Sequence, residues 1–538
     1  MQPEPSSASR PYVALYDTTL RDGTQREGIS LSCEDKLRIA RRLDELGVSF
    51  IEGGWPGSNP KDAEFFTRAR DMDWRTSRIA AFGATRRIDL GAEDDPGLKA
   101  LLDAGTEVVT IFGKTSPLHV REVLRTTLET NLEVIRESVA FLRSAGRRVI
   151  YDAEHFFDGR REDREYALET LRAAIRGGAE VVVVCDTNGG SLPWEIAGAV
   201  ADVRGLAHPF GVHTHNDSEC AVANALEAVR GGASHVQGTI NGYGERCGNA
   251  NLCALIPDLE LKLGVQCLPD GALRRLSEIA HFVAEVANLS PDEHMAYVGR
   301  SAFAHKGGVH VHAMRRNPRS YQHVDPEVVG NESRIVVSEL SGKATVVGKA
   351  EELGLSLGGG AEARILARIK DGESRGLAYE AAEASVALLV KRDDPEYHPP
   401  FEVLGYKVIV SDAPAGPVSE AVVKLRVDER VIHTAAEGNG PVSALDAALR
   451  KALAPVYPAT ERICLVDYKV RIIDGENGTG AAVRVLIDSS DGGRRRWSTV
   501  GASRNIIAAS CEALTDSFEY GVAVLNREAA EQAYVEVA

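Results

Sequence analysis

The stretch YVALYDTTLRDGTQ, residues 12–25, decides the fold class of this chain. It begins with a short apolar run and continues through a turn toward the amphipathic pattern DKLRIARRLDELG at 35–47. Apolar runs that alternate with such helices are typical of a parallel sheet covered by helices. An open doubly wound sheet would normally carry a GxGxxG turn after its first strand, and DTTLRDGTQ stands there instead. The turn therefore favours a closed barrel over an open sheet.

Seven further apolar runs repeat this unit along the chain at a spacing of roughly 30 residues. Eight units of strand and helix predict an α/β fold, a closed (β/α)₈ TIM barrel, with its active site at the carboxyl ends of the strands. The eight runs lie at 12–17, 48–54, 78–83, 107–113, 148–154, 180–186, 210–215 and 234–240.

The composition excludes several classes of protein. The chain has 538 residues, of which 44% are hydrophobic, and this is ordinary globular usage. Its formal net charge of −16 would be repelled by a phosphate backbone, so we expect no nucleic-acid partner. No apolar stretch approaches the ~20 residues of a membrane-spanning helix, and the start MQPEPSSASRP lacks the apolar core of a signal peptide. We therefore expect a soluble, cytoplasmic protein with no membrane partner.

The repeat stops after the eighth run, and the remaining chain divides into two parts. The first part is predicted to be helical up to the Pro-rich hinge DDPEYHPP. After the hinge, a strand-strand-strand-helix order occurs twice, and regulation or dimerisation is the expected role because few catalytic-looking residues lie there. The predicted organisation is a disordered N-terminus at 1–11, the barrel at 12–285, helical linker subdomains at 286–392 and a duplicated α+β domain at 393–538.

The sequence HTHND at 213–217 ends the seventh run and is the strongest local signal for chemistry. Residues i and i+2 of a strand face the same side about 6.6 Å apart, so His213 and His215 can converge on one ion. Asp22 follows the first run, which a closed barrel brings near the seventh, and Asn249 follows the eighth. Two hydrogen-bonded histidines without a metal are the alternative for an isolated HxH pattern. One Asp, two His and an Asn oxygen favour Mg²⁺, Mn²⁺ or Zn²⁺ in a catalytic site.

Four further polar residues follow or end predicted strands. Arg21 lies beside Asp22, where its charge can stabilise an alkoxide developing on a metal-polarised keto group; an ordinary salt bridge is the alternative. Thr187 in CDTNGG supplies a hydroxyl and backbone amides suited to a carboxylate, although DTNG is also a turn sequence. Glu52 and Glu154 end the second and fifth runs, where Arg21 or the metal are available partners. We interpret Glu52 as a structural brace for Arg21 and Glu154 as the residue closer to substrate.

Seven motifs in order resemble one enzyme superfamily. DTTLRDGTQREG, IEGGWP, DAEHFFDG, DTNGG, HTHND, GTINGYGERCGNANL and AHKGGVHVHA, spanning residues 12 to 325, are similar to the DRE-TIM metallolyases. Within them the chain resembles the 2-isopropylmalate, homocitrate and citramalate synthases. The runs WPGSNP and FGKTSPLHV resemble the citramalate synthase branch most, and the duplicated C-terminal domain is similar to the allosteric, dimer-forming LeuA-type domain of these enzymes.

The resemblance assigns a role to each candidate residue. It implies that Arg21 stabilises the alkoxide, that Glu52 braces it and that Thr187 holds the pyruvate carboxylate. It also implies an acid/base role for three residues, two of which lie in the linker and are expected to complete the active site of the other subunit. The implied metal ligands are Asp22, His213, His215 and Asn249, and the implied acid/base residues are Glu154, His310 and Tyr321.

The reaction implied by the resemblance is a metal-dependent Claisen condensation of acetyl-CoA with pyruvate. Hydrolysis of the thioester would then give (R)-citramalate and CoA, a step of isoleucine biosynthesis, in a homodimer with isoleucine as the expected effector. The alternatives are a 2-isopropylmalate synthase acting on 2-oxoisovalerate in leucine biosynthesis, a homocitrate synthase, and a lyase running the retro-reaction. A metal-dependent hydrolase is disfavoured because its HxH would be expected on the first strand. A non-catalytic sensor is the weakest alternative.

Overall fold

The computed structural model describes residues 10–306, 308–338, 341–352, 357–413, 416–492 and 495–537. Most of the N-terminus predicted to be disordered, residues 1–9, lies outside this part of the chain. The chain forms two compact units. The first comprises the described residues up to Phe303 together with Val324–Glu332, and the second comprises Ala304–His323 and the described residues from Ser333 onward.

The first unit is a closed barrel of eight parallel strands. Each strand pairs with the next along the chain, and β1 pairs in parallel with β8 to close the ring. This confirms the predicted (β/α)₈ barrel. The strands are β1 (Ala14–Asp17), β2 (Phe50–Gly54), β3 (Arg78–Ala84), β4 (Val108–Lys114), β5 (Arg148–Glu154), β6 (Val181–Asp186), β7 (Phe210–Thr214) and β8 (His235–Gly238).

Ten α-helices belong to the described residues of this unit. Local signals set the ends of α1: Ser32 and Asp35 form a capping box, and Gly47 ends the helix in the left-handed region at φ 94°. The helices are α1 (Cys33–Leu46), α2 (Pro60–Ala69), α3 (Pro96–Asp103), α4 (Leu128–Ser144), α5 (Phe156–Glu162), α6 (Arg164–Gly177), α7 (Pro193–Arg204), α8 (Ala221–Arg230), α9 (Leu252–Pro257) and α10 (Leu276–Val286).

The barrel interior is apolar at depth and polar at its carboxyl end. Strand residues two positions apart face the same side, so polar residues such as Asp152 and His213 continue the inward-facing rows toward that end. The apolar interior closes the barrel below them and leaves the chemistry at one end. The buried hydrophobic residues of this cluster are Tyr16, Ala80, Val108, Ile150, Val183 and Cys185.

The first part of the second unit is mainly helical, as the linker was predicted to be. Two short strands pair in parallel within it. The elements are β9 (Ala304–His305), α11 (Gly308–Arg316), β10 (Arg334–Ile335), α12 (Lys343–Glu352), α13 (Ala361–Ser374) and α14 (Glu383–Lys391).

The C-terminal part contains the predicted duplication. Each copy is an antiparallel three-stranded sheet followed by a helix whose apolar residues pack on it. Although α16 is 32 residues long, neither it nor any other helix in the described chain has the length and apolar character needed to cross a membrane. The elements are β11 (Glu402–Ala413), β12 (Gly416–Val427), β13 (Arg430–Gly438), α15 (Pro441–Leu453), β14 (Cys464–Ile472), β15 (Val483–Ser490), β16 (Arg496–Ser503) and α16 (Ile506–Val537).

Candidate metal centre and active site

Three predicted metal ligands converge at the carboxyl end of the barrel. Asp22 lies in the loop after β1, His213 lies in β7, and His215 follows that strand directly. The Nε2 atoms of His213 and His215 are 3.1 Å apart, and they lie 3.6 Å and 3.8 Å from Asp22 Oδ2. All three residues are buried. One donor atom from each lies within 4.8 Å of the others, which is close enough for a single cation.

The protonation states of these residues suit a cation. Burial alone would raise the pKa of Asp22, but Arg21 and the two imidazoles outweigh it and lower this pKa to about 2. Burial and the neighbouring His213 lower the pKa of His215 to about 3. Burial also lowers the pKa of His213. At neutral pH the site therefore offers a charged carboxylate and two neutral imidazoles, the forms that bind metal ions.

Asn249 reaches the same site from the loop after β8. Its backbone forms a β-bridge with His215, and its Nδ2 donates to the carbonyl of Tyr243 at 3.3 Å. Glycine is required in this loop, because a Cβ on Gly244 would lie 2.2 Å from Asn249 Nδ2 and one on Gly248 would lie 2.0 Å from a backbone carbonyl.

The residues present fit a divalent cation. Asp22 Oδ1 and Asn249 Oδ1 are both buried, and neither has a hydrogen-bond partner within the described structure. Buried oxygens without partners are costly, and a coordinated cation would satisfy them. A donor set of oxygen and imidazole nitrogen matches Mg²⁺, Mn²⁺ or Zn²⁺ better than a structural thiolate site does.

Arg21 is fixed beside the cluster by a buried carboxylate. Its Nε donates to Glu52 Oε2 at 2.6 Å, and its Nη1 lies 3.2 Å from Asp22 Oδ2. Its guanidinium also stacks on Phe82, with Cζ 3.8 Å from the ring centroid. Within the described structure Glu52 bonds Arg21, Tyr16 and Thr18 and none of the three clustered ligands, which is the arrangement expected of a brace.

Thr187 occupies the loop after β6 with its hydroxyl partly engaged. Its Oγ1 accepts a hydrogen bond from the backbone N–H of His155 at 2.8 Å, which leaves the hydroxyl hydrogen free to be donated. Its carbonyl accepts from Arg246 Nη2 at 2.7 Å. The loop is therefore held from both sides, and the hydroxyl can serve as a donor to a carboxylate.

Glu154 has a partner that the sequence analysis did not identify. Arg21 and the metal were the partners considered, whereas the structure pairs Glu154 with Lys114 in an ion pair. The two residues end adjacent strands and stand opposite each other in the register of β4 and β5. Lys114 lies in the quoted run FGKTSPLHV, but only the strand register shows that it faces Glu154.

Gln237 and Asp152 were also missed. Gln237 Oε1 lies 2.8 Å from His213 Nδ1, and Gln237 Nε2 donates to Asp152 Oδ1 at 2.9 Å. Burial raises the pKa of Asp152 to about 8. The alternation of the fifth run carries a signal for Asp152, because it lies two positions before Glu154 and so shares its face.

A further missed pair clamps the loops around the site. Arg246 donates to both carboxylate oxygens of Asp217, at 2.8 Å and 2.9 Å. The same guanidinium binds the Thr187 carbonyl, so it ties the loops after β6, β7 and β8 together.

His310 and Tyr321 belong to the second unit and not to the barrel. Their rings stack on each other with centroids 4.1 Å apart and an interplanar angle of 26°. Both residues are exposed within the chain. The structure thus brings these two residues together, and their acid/base role remains a prediction.

Three family models match successive parts of the chain. Residues 12–283 match the HMGL-like model, residues 297–376 match the homocitrate synthase post-HMGL domain-like model, and residues 380–522 match the LeuA allosteric (dimerisation) domain. The matched order is that of the barrel, the helical segment and the duplicated domain.

Relatives that align over nearly their full length distinguish between branches of this family. An (R)-citramalate synthase of Geobacter sulfurreducens is 52% identical over 94% of this chain and 97% of its own length. An (R)-citramalate synthase of Synechocystis is 53% identical over 95% and 96%. A 2-isopropylmalate synthase of Methanocaldococcus jannaschii is 31% identical over 94% and 93%. The chain therefore belongs to the HMGL-like family, on the branch whose curated members are (R)-citramalate synthases.

Proposed function

We propose that the protein is a metal-dependent (R)-citramalate synthase. It condenses acetyl-CoA with pyruvate and hydrolyses the thioester, so that acetyl-CoA, pyruvate and water become (R)-citramalate and CoA. The observation that supports this best is the cluster of Asp22, His213 and His215 beside Arg21, in a chain more than half identical to (R)-citramalate synthases over nearly its full length.

Asp22, His213, His215 and Asn249 would hold the divalent cation, which is Mg²⁺, Mn²⁺ or Zn²⁺. When bound, such an ion polarises the keto group of a 2-oxo acid and makes its carbon electrophilic. The chain supplies the deprotonated ligands in advance, since Asp22 is charged and both imidazoles are neutral.

Arg21 neutralises charge as the carbon-carbon bond forms. The keto oxygen of pyruvate becomes negative when the enolate of acetyl-CoA attacks, and a fixed guanidinium stabilises that charge better than mobile water does. Glu52 holds the guanidinium in place through the 2.6 Å contact with its Nε. Thr187 orients the substrate by donating its free hydroxyl hydrogen to the pyruvate carboxylate.

We assign three residues to proton transfer. Glu154 ends β5 at the barrel mouth, half-buried and paired with Lys114, and we assign it to the acid/base apparatus. We further assign His310 and Tyr321 to the acid/base chemistry of the other subunit in a homodimer. The barrel at 12–285, the linker at 286–392 and the domain at 393–538 remain our proposed functional divisions.

The C-terminal domain would regulate the enzyme. Its match to the LeuA allosteric (dimerisation) model supports a homodimer that binds an amino-acid effector, and we propose isoleucine as the feedback inhibitor of a cytoplasmic enzyme of isoleucine biosynthesis. Titration of isoleucine and leucine against CoA release separates the candidates, and indifference to both contradicts this regulation.

The decisive experiment measures CoA thiol release from acetyl-CoA with four 2-oxo acids. Purified full-length protein is stripped with a chelator, reloaded with Mn²⁺, and assayed with pyruvate, 2-oxobutyrate, 2-oxoisovalerate and 2-oxoglutarate. We expect the highest kcat/KM with pyruvate and loss of release in His213→Ala. A maximum with 2-oxoisovalerate indicates a 2-isopropylmalate synthase, and a maximum with 2-oxoglutarate indicates a homocitrate synthase.

A further inference from the structure

The two imidazoles of the candidate metal site are supported differently. His213 Nδ1 lies 2.8 Å from Gln237 Oε1, whereas His215 Nδ1 is buried without a hydrogen-bond partner within the described structure. The Gln237 amide in turn contacts Asp152, with Nε2 and Oδ1 2.9 Å apart. Two hydrogen bonds in series therefore connect His213, but not His215, through Gln237 on β8 to Asp152 on β5.

We propose that Gln237 and Asp152 are positioning residues, which hold His213 with its Nε2 lone pair directed at Asp22 and His215. This inference rests on the proposed function only in requiring that the cluster binds a cation. Gln237 bonds the ring nitrogen of His213 that faces away from the site, and Asp152 bonds Gln237, so both residues act through His213.

The direction of the hydrogen bonds carries the argument. A carboxyl oxygen of Asp152 accepts from the amide nitrogen of Gln237, so the amide oxygen faces His213. An amide oxygen only accepts, and His213 Nδ1 must therefore carry the proton. A neutral imidazole protonated at Nδ1 has its lone pair at Nε2, the atom that lies 3.6 Å from Asp22 Oδ2.

The opposite amide orientation would block the site. If Gln237 were flipped, its N–H would face His213 Nδ1, and the imidazole proton would move to Nε2, pointing at Asp22 and His215. Turning the amide over would break the bond that Gln237 Nε2 donates to Asp152 Oδ1, so Asp152 favours the observed orientation. The observed bond needs only an accepting oxygen, which a carboxyl group keeps in either protonation state.

Burial prevents water from replacing the two hydrogen bonds that Gln237 makes with His213 and Asp152. Gln237 is 0% exposed and Asp152 is 4% exposed, inside a closed ring of strands. If the Gln237 acceptor were removed, the His213 N–H would remain buried and unpaired, and either its ring orientation or its tautomer would change.

The test is calorimetric titration of Mn²⁺ into chelator-stripped, full-length protein. We expect Gln237→Leu to raise the Kd for Mn²⁺ roughly 10- to 100-fold, the usual cost of losing an outer partner of a metal ligand. Gln237→Glu keeps an accepting oxygen for His213 Nδ1, and one proton shared with Asp152 replaces the amide donor, so the Kd should stay near the wild-type value. Gln266→Leu is the matched control, since Gln266 is half-buried beside Tyr12, before β1, and should leave the Kd unchanged.

A second pair of variants tests whether Asp152 holds Gln237 in place. This pair tests the positioning role even if Gln237→Leu does not fold. Asp152→Asn can still present an oxygen to Gln237, whereas Asp152→Leu cannot. We expect a weaker Mn²⁺ affinity in Asp152→Leu only. A purely structural role would instead lower the Tm of the leucine variants and leave their Mn²⁺ Kd unchanged.

The outcomes separate this inference from the proposed function. Wild-type affinity for Mn²⁺ in folded Gln237→Leu and Asp152→Leu overturns the positioning role while the metal site stands. If the wild-type protein binds no Mn²⁺, the proposed function fails, and this inference fails with it.

Discussion

Arg21 is held against Glu52 by a hydrogen bond of 2.6 Å between Nε and Oε2. Glu52 is 0% exposed, and it also accepts hydrogen bonds from the hydroxyls of Tyr16 and Thr18. Burial opposes the charge on Arg21, but Glu52 and Asp22 outweigh it and raise the pKa of the guanidinium. The result is a permanent cation that a buried carboxylate holds 3.2 Å from a candidate metal ligand.

Replacement of this brace should impair catalysis more than metal binding. We expect Glu52→Gln to lower kcat for CoA release roughly 100-fold, because a displaced guanidinium no longer meets the developing negative charge. The Kd for Mn²⁺ should change little, since Glu52 contacts Arg21, Tyr16 and Thr18. Tyr16→Phe keeps the ion pair and should cost less. An unchanged kcat in Glu52→Gln would contradict the bracing role.

The charge of Glu154 should matter for turnover and not for folding. We expect Glu154→Gln to lower kcat roughly 10² to 10⁴-fold, the range for loss of a general acid or base, with little change in Tm. Glu162→Gln is the matched control, because Glu162 is exposed and bonds Ser116 and the backbone of Leu118. Steady-state thiol release distinguishes the two variants. Equal kcat values would remove Glu154 from the acid/base apparatus.

Local sequence patterns were sufficient to predict the barrel and the convergence of three candidate metal ligands. Each strand of the barrel is a short apolar run that must be buried on both faces, so its position is visible without knowledge of its neighbours. The convergence of His213 with His215 follows from the period of two in a strand. Asp22 could be added because closure of the ring places the first and seventh strands near each other, with one strand between them.

The missed contacts depend on register between strands, which the sequence does not display. Lys114 faces Glu154 because β4 and β5 pair in that register, and a shift of one strand by one residue would turn its side chain to the other face. Gln237 meets Asp152 across the barrel interior from β8 to β5. In the sequence, such polar residues cannot be distinguished from other strand residues. Only the pairing of strands in the closed ring shows that they point inward.

Stability should fall with rising pH through Asp17, which is 0% exposed at the end of β1. Burial raises its pKa from 3.8 to about 7 despite two hydrogen bonds from Thr19. The folded state therefore binds the proton more tightly than the unfolded state. This contribution is complete below pH about 4 and is lost toward pH 7, at about 1.4 kcal/mol per pH unit.

Asp17→Asn should remove this part of the pH dependence. Urea unfolding of wild type and variant at pH 5 and pH 7.5 should show the variant gaining stability relative to wild type as the pH rises. Asp152, whose pKa is raised to about 8, acts with the same sign in both proteins and leaves a residual slope. Parallel curves for the two proteins would show that Asp17 ionises normally in the folded state.

A buried ion pair behind β2 should dominate the stability of that side of the barrel. Lys36 Nζ lies 2.5 Å from Asp62 Oδ1 and also donates to the Gly53 carbonyl, while Asp62 Oδ2 accepts from the Trp55 N–H. We expect Lys36→Met to cost about 3 to 5 kcal/mol, since it leaves the buried carboxylate unpaired. Tryptophan emission during urea unfolding measures the change.

Arg68→Met breaks an exposed pair and should shift the transition far less, because water screens such pairs. Similar shifts in both variants would show that the buried pair does not hold α1 and α2 to the strand.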